Sequence, residues 1–256
     1  MTIDRKSFLW GVGGVVAGGA LGVAGGRASV PEPPPAPPPP PPRQGEPSYA
    51  QCGEDRIVHF MLGYLGIKTM DYLDIGAYEP VHINNTYLFY ELGHRGVLIE
   101  PNVSMCRKLK QVRPEDTVLE AGIGITAERE ADYYVMTDAS WNTFSKEEAE
   151  HQEKVSSGRI KIKEVIKMPL LDINQVMKDH FPSAPAFVSV DTQGLELAIL
   201  KTIDFDRFRP KVICAETLVT GTKKMVPEVG EFMASKGYVV RGMSFVNSLF
   251  VDGKLL

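Results

Sequence analysis

Two acidic residues occupy matching positions in this sequence, because each follows a short apolar run that predicts a β-strand. Asp74 lies in MDYLDIGAYEP, two residues before Gly76, and Glu100 lies in GVLIEPN. Ligands of open α/β sheets bind outside the carboxyl ends of the strands, and a carboxylate at the end of a second strand is suited to accept hydrogen bonds from a ribose diol. The separation of the two residues is near the roughly 20 residues typical of nucleoside-binding folds. Together they predict a nucleoside site.

The residues after Gly76 indicate which nucleoside this site would accept. A dinucleotide fold needs a G-x-G-x-x-G run so that a pyrophosphate can lie at a helix N-terminus, and GAYEPV supplies only the first glycine. A pyrophosphate, which is negatively charged, would also lie against the carboxylates of Asp74 and Glu100. S-adenosylmethionine carries no phosphate, and an acidic corner tolerates its sulfonium and ammonium groups. The sequence therefore favours S-adenosylmethionine over NAD, although an α/β protein without a cofactor could contain both short motifs.

The elements that must position these carboxylates are predicted from apolar strands that alternate with helices. Strands are expected at residues 70–75, 96–99, 117–121, 186–191, 211–215, 237–241 and 246–251. Helices are expected at residues 54–64, 84–92, 103–110, 172–179, 194–201 and 228–236. This alternation predicts an α/β fold with a mostly parallel sheet, helices on both faces and a terminal antiparallel hairpin. The charged segment 145–164 lacks periodicity and predicts an exposed excursion or lid.

The overall composition limits the class of protein. With 256 residues, of which 43% are apolar and 23% charged, the chain can form one globular domain with additional segments. A net charge of −4 disfavours a nucleic-acid partner, because phosphate binding requires clustered Lys and Arg. The three cysteines, Cys52, Cys106 and Cys214, have neither CxxC nor metal-knuckle spacing and predict reduced thiols.

The N-terminal part of the chain differs from the rest. In residues 1–30, Arg5 and Lys6 precede an uncharged run of about 20 residues, which is long enough to cross a bilayer. This segment predicts a single-pass anchor or an export signal, and RKSFL resembles a twin-arginine motif with Lys6 at the second position. Residues 31–46 are rich in proline and predict a semi-rigid polyproline II linker. The folded domain is expected to cover residues 47–256.

Several ordered motifs resemble one known family. SYAQCGEDRIV, YLDIGAYEPVHINNTYLFYELGHRGVLIEPN, PLLDINQVM and FVSVDTQGLELAILKTIDFDRFRPKVICAET are similar to the FkbM family of S-adenosylmethionine-dependent methyltransferases. The likeness spans residues 47–252. It implies the class I methyltransferase fold, which is Rossmann-like with a seven-stranded sheet. It also implies S-adenosylmethionine as the cofactor and O-methylation of hydroxyls on sugars and natural products.

The resemblance implies cofactor-binding roles for six residues. By expected role, these are Asp74, Gly76 and Ala77 for the methionine-side loop, Glu100 for the ribose hydroxyls, and Ala121 and Gly122 for the adenine. Two positions depart from the family's pattern. Gln193, in DTQGLE, stands where the family usually has an acid, and Pro80 stands where a glycine commonly follows DIGA. Pro80 also removes an amide donor and stiffens the loop.

Methyl transfer to a hydroxyl benefits from a general base. Asp191 is the first candidate, with capping of the following helix as its alternative role, and His82 is the second, with a simple loop hydrogen bond as its alternative. Glu216, in VICAET, could complete a metal site with Asp191. Two carboxylates without a His or a third acid are weak support, so no metal is expected. Trp141 and Phe144 are candidates for lining an acceptor pocket, with simple packing as their alternative role.

These observations predict an O-methyltransferase that acts on a hydroxyl of a sugar, glycan or small metabolite. The alternative is a membrane-tethered, catalytically silent cofactor- or glycan-binding module of the same fold, which Pro80 and Gln193 keep open. An NAD-dependent oxidoreductase is disfavoured by the missing glycines. The expected partners are a hydroxylated acceptor and a membrane, the latter through the N-terminal segment.

The location of the domain is predicted from two conflicting features. Arg5 and Lys6 before the apolar run favour a cytosolic N-terminus and an exported domain. However, Arg27 and Arg43 place as many cations after the run, and S-adenosylmethionine is made and held in the cytosol. We therefore expect a membrane-attached protein whose catalytic domain faces the cytosol, with export through a twin-arginine-like signal as the alternative.

Overall fold

The computed structural model describes residue 45 and residues 47–219, 222 and 224–256. The predicted N-terminal segment of residues 1–30 and, apart from Gly45, the predicted linker of residues 31–46 lie outside the described residues. Their organisation therefore stays a prediction. Among the helices in the described part of the chain, none is both long enough and apolar enough to cross a bilayer.

Ten strands and seven α-helices form the described part of the chain. The helices are α1 (Glu54–Tyr64), α2 (Tyr87–Glu91), α3 (Val103–Val112), α4 (Lys146–Val155), α5 (Ile173–His180), α6 (Glu196–Thr202) and α7 (Pro227–Ser235). The strands are β1 (Tyr72–Ile75), β2 (Gly96–Ile99), β3 (Thr117–Leu119), β4 (Gly122–Ile123), β5 (Glu130–Met136), β6 (Ile162–Leu171), β7 (Phe187–Val190), β8 (Val212–Glu216), β9 (Tyr238–Met243) and β10 (Asn247–Asp252). Two short 3-10 helices cover Ala139–Trp141 and Gly253–Leu255.

The main sheet has seven strands in the order β3-β2-β1-β7-β8-β10-β9. Strands β3, β2, β1, β7 and β8 pair in parallel, whereas β10 is antiparallel to both β8 and β9. This confirms the predicted mostly parallel sheet with its terminal antiparallel hairpin. The strand order reverses between β1 and β7, which makes their carboxyl ends the switch point where ligands of such sheets bind.

Helices cover both faces of the sheet, and every residue of β1 is therefore buried. Leu73 and Ile75 pack in the core formed with α5, α6 and α7, whereas Tyr72 packs in the core formed with α1 and Phe89 of α2. Successive residues of a strand point to opposite faces, so a parallel strand buried on both sides is continuously apolar. Asp74 interrupts this pattern, and its burial needs a specific partner.

A second sheet that the sequence did not predict has the strand order β4-β6-β5. The strand predicted at residues 117–121 ends at Leu119, and β4 of the second sheet begins at Gly122. The segment 145–164 contains α4 and the start of β6. The hydrophobic pattern of this segment is weak for two reasons. Helix α4 buries only Ala149 and Gln152, and β6 alternates irregularly between aliphatic and charged residues.

Candidate active site

Gly76 brings the loops after β1 and β7 into direct contact. Its φ angle is +85°, and a Cβ atom at this position would lie 1.9 Å from the backbone oxygen of Asp191. Only glycine combines this left-handed conformation with such a close approach. The amides of Gly76 and Ala77 both donate to the carbonyl of Ile99 at the end of β2. The structure therefore places the predicted methionine-side loop at the switch point.

Glu100 lies at the end of β2 and is only 4% exposed. Its Oε2 accepts the backbone N–H of Tyr78 at 2.8 Å, and its Oε1 accepts that of Asn102 at 2.7 Å. Burial raises the pKa of Glu100 to about 7, and these two hydrogen bonds oppose the shift. An ionised carboxylate offers about four acceptor positions. Each oxygen of Glu100 therefore keeps acceptor capacity for one ribose hydroxyl.

Asp74 points into the protein. It is 3% exposed, and its Oδ2 accepts the hydroxyl of Thr86 at 2.7 Å, just before α2. Burial is the main cause of its raised pKa, which the Thr86 hydrogen bond and the charge of Arg113 partly offset. The carboxylate thus ties β1 to the start of α2. Its expected contact with the methionine part of the cofactor stays a prediction.

Arg113 supports this corner of the site and was missed in the sequence. It is fully buried, and its Nε donates to Asp116 Oδ2 at 2.8 Å. Its Nη1 donates to Asn84 Oδ1 at 3.1 Å and its Nη2 donates to Thr86 Oγ1 at 3.1 Å. Since Thr86 also donates to Asp74, the guanidinium and the Asp74 carboxylate share one buried network. In the sequence, Arg113 is only a cation after an amphipathic helix, and its partners Asn84 and Thr86 are far away along the chain.

Ala121 and Gly122, the predicted adenine-flanking residues, are both buried, with Ala121 just before β4 and Gly122 as its first residue. A Cβ atom on Gly122 would lie 2.5 Å from the ring of Phe144, and this ring lies 4.8 Å from that of Tyr133. Phe144 therefore lies against the predicted adenine-flanking residue Gly122, and its role toward an acceptor stays a prediction. Trp141 is partly buried in a 3-10 helix, and its role toward an acceptor stays a prediction.

Three carboxylates meet next to the switch point. They belong to Asp191 after β7, Glu196 at the start of α6 and Glu216 at the end of β8, and one oxygen of each lies within 4.8 Å of the others. The Nε2 of Gln193 donates to Asp191 Oδ1 at 2.8 Å and to Glu216 Oε2 at 3.2 Å. The metal site considered in the sequence contained only Asp191 and Glu216, and the structure adds Glu196 as a third acid beside them.

Glu196 holds the turn between β7 and α6. Its Oε1 accepts the N–H of Thr192 at 2.8 Å, and its Oε2 accepts the N–H of Gly194 at 3.1 Å. Burial first and the charge of Asp191 second raise the pKa of Glu196 to about 7. Because Leu195 is the N-cap residue of α6 and this helix has no side-chain cap, the alternative role of Asp191 as a helix cap is not seen. His82, the second candidate base, is exposed in the loop after β1 and is not part of the acidic group.

The segment before α4 contacts this acidic turn. The hydroxyl of Thr143, which is 1% exposed, donates to the backbone oxygen of Gln193 at 3.0 Å. A Cβ atom on Gly194 would lie 3.6 Å from the side chain of Glu148 in α4. The excursion predicted from the charged sequence therefore lies against the site.

The strand order is that of the class I S-adenosylmethionine-dependent methyltransferase fold. Residues 74–240, more than half of the chain, match the family model described as Methyltransferase FkbM domain, and the chain belongs to this family. This confirms the resemblance found in the sequence. S-adenosylmethionine is accordingly the cofactor.

Solved structures with a similar fold include other methyltransferases. A TehB-like S-adenosylmethionine-dependent methyltransferase from Corynebacterium glutamicum is 10% identical, with 79% of this chain and 88% of that chain covered and a TM-score of 0.42. An O-methyltransferase from Bacillus cereus in complex with S-adenosylhomocysteine is 11% identical, with 80% and 84% covered and a TM-score of 0.41. No curated protein sequence matches this chain.

Proposed function

We propose that this protein transfers a methyl group from S-adenosylmethionine to a hydroxyl of a sugar, a glycan or a small metabolite. The observation that supports it best is the position of Asp191. Its backbone lies directly against Gly76, and its side chain is partly exposed. A carboxylate in this place stands beside the loop expected to hold the methionine part of the cofactor, where an acceptor hydroxyl must approach.

The cofactor supplies a methyl carbon that its sulfonium already activates. Gly76 and Glu100, in the loops after β1 and β2, would help to hold S-adenosylmethionine, which would supply its methyl group to an acceptor oxygen and leave as S-adenosylhomocysteine. The hydroxyl proton passes to the Asp191 carboxylate. Positioning of the two reactants can lower the barrier by roughly 7 to 11 kcal/mol, and a general base contributes about 100-fold or more. The rigid turns at Gly76 and Gln193 provide the positioning.

The test is transfer of a labelled methyl group by the full-length protein to a panel of free sugars, oligosaccharides and hydroxylated metabolites. An O-methyl ether keeps its label in mild base, whereas a methyl ester releases it as methanol, so base treatment identifies the methylated group. We expect base-stable label on at least one hydroxylated acceptor. Label found only on carboxylates or nitrogen atoms would contradict methylation of a hydroxyl.

A second candidate is the catalytically silent cofactor- or glycan-binding module, tethered to a membrane. One contact favours it, because the Gln193 amide donates to both Asp191 and Glu216 and so occupies acceptor positions on both carboxylates. Calorimetry that shows binding of S-adenosylmethionine, together with no transfer to any acceptor of the panel, would support this candidate over the enzyme.

We propose in addition that residues 1–30 attach the protein to a membrane and that the folded domain faces the cytosol. The apolar run after Arg5 and Lys6 and the cytosolic supply of the cofactor support this placement. A C-terminal tag in spheroplasts of an expressing bacterium should resist protease added outside and should sediment with membranes. Digestion of the tag by external protease would instead favour export of the domain.

A further inference from the structure

Two aromatic rings of α1 extend into solvent. Phe60 is 71% exposed and Tyr64 is 82% exposed, and their rings stack with centroids 6.2 Å apart. They lie one turn apart on the helix face opposite Val58 and Leu62, which are buried in the core beneath α1. Single exposed apolar side chains are ordinary on protein surfaces, but two stacked rings form a patch that indicates a partner.

The charges around these rings are positive. Arg56 lies one turn before them in α1, and Lys68 is exposed just past the end of the helix. Both acids of α1, Glu54 and Asp55, are fully buried. Aromatic side chains are enriched at the membrane–water interface, and neighbouring cations are attracted to anionic lipid headgroups. The exposed face of α1 therefore has the chemistry of a membrane contact.

The chain enters the folded domain beside this face. The backbone oxygen of Pro47 accepts the Nε–H of Arg56. Residues 31–46 precede it and, as the predicted polyproline II linker, would span about 50 Å. Residues 1–30 are proposed to attach to a membrane, so a membrane surface would stay within reach of α1. Because a contact made by an already attached domain is intramolecular, a small patch is sufficient for it.

We propose that Phe60 and Tyr64 insert into the interface of an anionic membrane. Arg56 and Lys68 then contact the lipid headgroups. This contact rests on the proposed attachment by residues 1–30, and it adds a defined orientation of the folded domain. The rings lie in the second half of α1, before the chain enters β1 at its amino end, whereas the candidate active site lies at the carboxyl ends of the strands. The contact therefore leaves that site open to an acceptor.

The test is electron paramagnetic resonance of the full-length protein, reconstituted into vesicles of equal parts phosphatidylcholine and phosphatidylglycerol. A nitroxide label is attached through Gly63→Cys, which keeps both rings and has open space around its Cβ position. Cys52→Ser, present in every variant, removes the exposed native thiol, and the other two thiols are buried. The matched control is a label through Gly230→Cys in α7, which has equally open space and belongs to the opposite face of the main sheet.

The label at position 63 should be more accessible to oxygen and less accessible to a water-soluble nickel chelate than the label at position 230. Phe60→Ser and Tyr64→Ser together should remove this difference. Because both rings are exposed, this variant should remain folded. Vesicles of phosphatidylcholine alone should reduce the difference, since they offer no anionic headgroup to the cations.

Each contrary result has a separate meaning. A label at position 63 that remains in water, in protein that sediments with the vesicles, would overturn the contact and leave the attachment by residues 1–30 standing. Protein that does not sediment with the vesicles would refute both. Dipolar broadening between labels at position 63 would show that a second copy covers the face, and this result would also overturn the proposal. An undiminished difference in the double serine variant would exclude the rings, and an equal difference with phosphatidylcholine alone would exclude the cations.

Discussion

Removal of the Glu100 carboxylate should weaken cofactor binding by a predictable amount. The two oxygens already accept the N–H groups of Tyr78 and Asn102, and the remaining acceptor positions suit two ribose hydroxyls. A hydrogen bond to a charged group contributes about 1.5 to 3 kcal/mol. Glu100→Ala should therefore raise the Kd for S-adenosylmethionine roughly 10- to 150-fold. The Kd of Glu100→Gln should lie between those of the wild type and Glu100→Ala, because its amide nitrogen meets a backbone N–H donor.

The pH dependence of the same interaction has a defined sign. Burial raises the pKa of Glu100 to about 7, so the carboxyl of the free protein is largely protonated below that pH. Hydroxyl donors favour the ionised form. Cofactor affinity should therefore rise as the pH increases toward about 7 and level off above it. Glu100→Gln should remove this dependence.

Stability should change with pH in the opposite direction. The folded protein keeps the Glu100 proton up to about pH 7, whereas the unfolded chain loses it near the ordinary value of 4.5. Between these values the folded state binds more protons, so the free energy of unfolding decreases as the pH rises. The stabilisation is fully present below the unfolded pKa and is lost as the pH passes the folded one. The total change is about 3 kcal/mol at 1.36 kcal/mol per pKa unit.

Calorimetry from pH 5.5 to 8.5 and urea unfolding over the same range measure both effects. Glu115→Gln is the matched control, because this acid is exposed just before β3 and pairs with Arg95 just before β2, away from the switch point. It should bind the cofactor as the wild type does. A folded Glu100→Ala protein with an unchanged Kd would remove Glu100 from the ribose role. A wild-type affinity that does not vary between pH 5.5 and 8.5 would refute the link to its ionisation.

Three further substitutions test the surrounding site. Asp191→Asn should keep the Kd for S-adenosylmethionine within a few-fold while the rate of methyl transfer falls about 100-fold or more, and an active variant would show that Asp191 is not the base. Arg113→Met leaves Asp116 buried without its ion-pair partner and should cost about 3 to 5 kcal/mol in urea unfolding, whereas Arg95→Met in an exposed pair should cost about 0 to 1 kcal/mol. Equal losses of stability in Arg113→Met and Arg95→Met would contradict the conclusion that burial makes the Arg113 pair important. Gly76→Ala should destabilise the fold by at least about 1 to 3 kcal/mol and weaken cofactor binding, because its Cβ would lie 1.9 Å from the Asp191 oxygen. A stable variant with wild-type affinity would show that the two loops are not in contact.

The main sheet could be predicted because its parallel strands are buried on both faces. All residues of β1, β7 and β8 are buried, and such strands give short runs in which most residues are apolar. The second sheet could not be found in this way. Most residues of β6 are partly or fully exposed, so Lys and Glu interrupt its aliphatic residues without a period of two. Antiparallel pairing with β5 makes this segment a strand, although its local sequence pattern does not indicate one.

Parts of the site that depend on one strand end could also be predicted, whereas parts that depend on tertiary contacts could not. Gly76 and Glu100 stand directly after apolar runs. Arg113 lies at the end of an amphipathic helix, and its burial follows from contacts with Asn84 and Thr86, which are 29 and 27 positions away. Glu196 joins the acidic group because the chain turns sharply at Gln193, whose φ angle is +57°.

The segment between β5 and β6, which includes α4, lies against the turn that carries Asp191. The loops after β1 and β2 hold the residues expected to bind the cofactor, whereas the turn after β7 carries Asp191. Thr143 and Glu148, which belong to the segment between β5 and β6, contact Gln193 and Gly194 in that turn. Changes at Thr143 or Glu148 would therefore reach the acidic group, whereas a change at Phe144 would reach Gly122 on the predicted adenine side. Because the segment is partly exposed and makes few core contacts, it can vary at a small cost in stability.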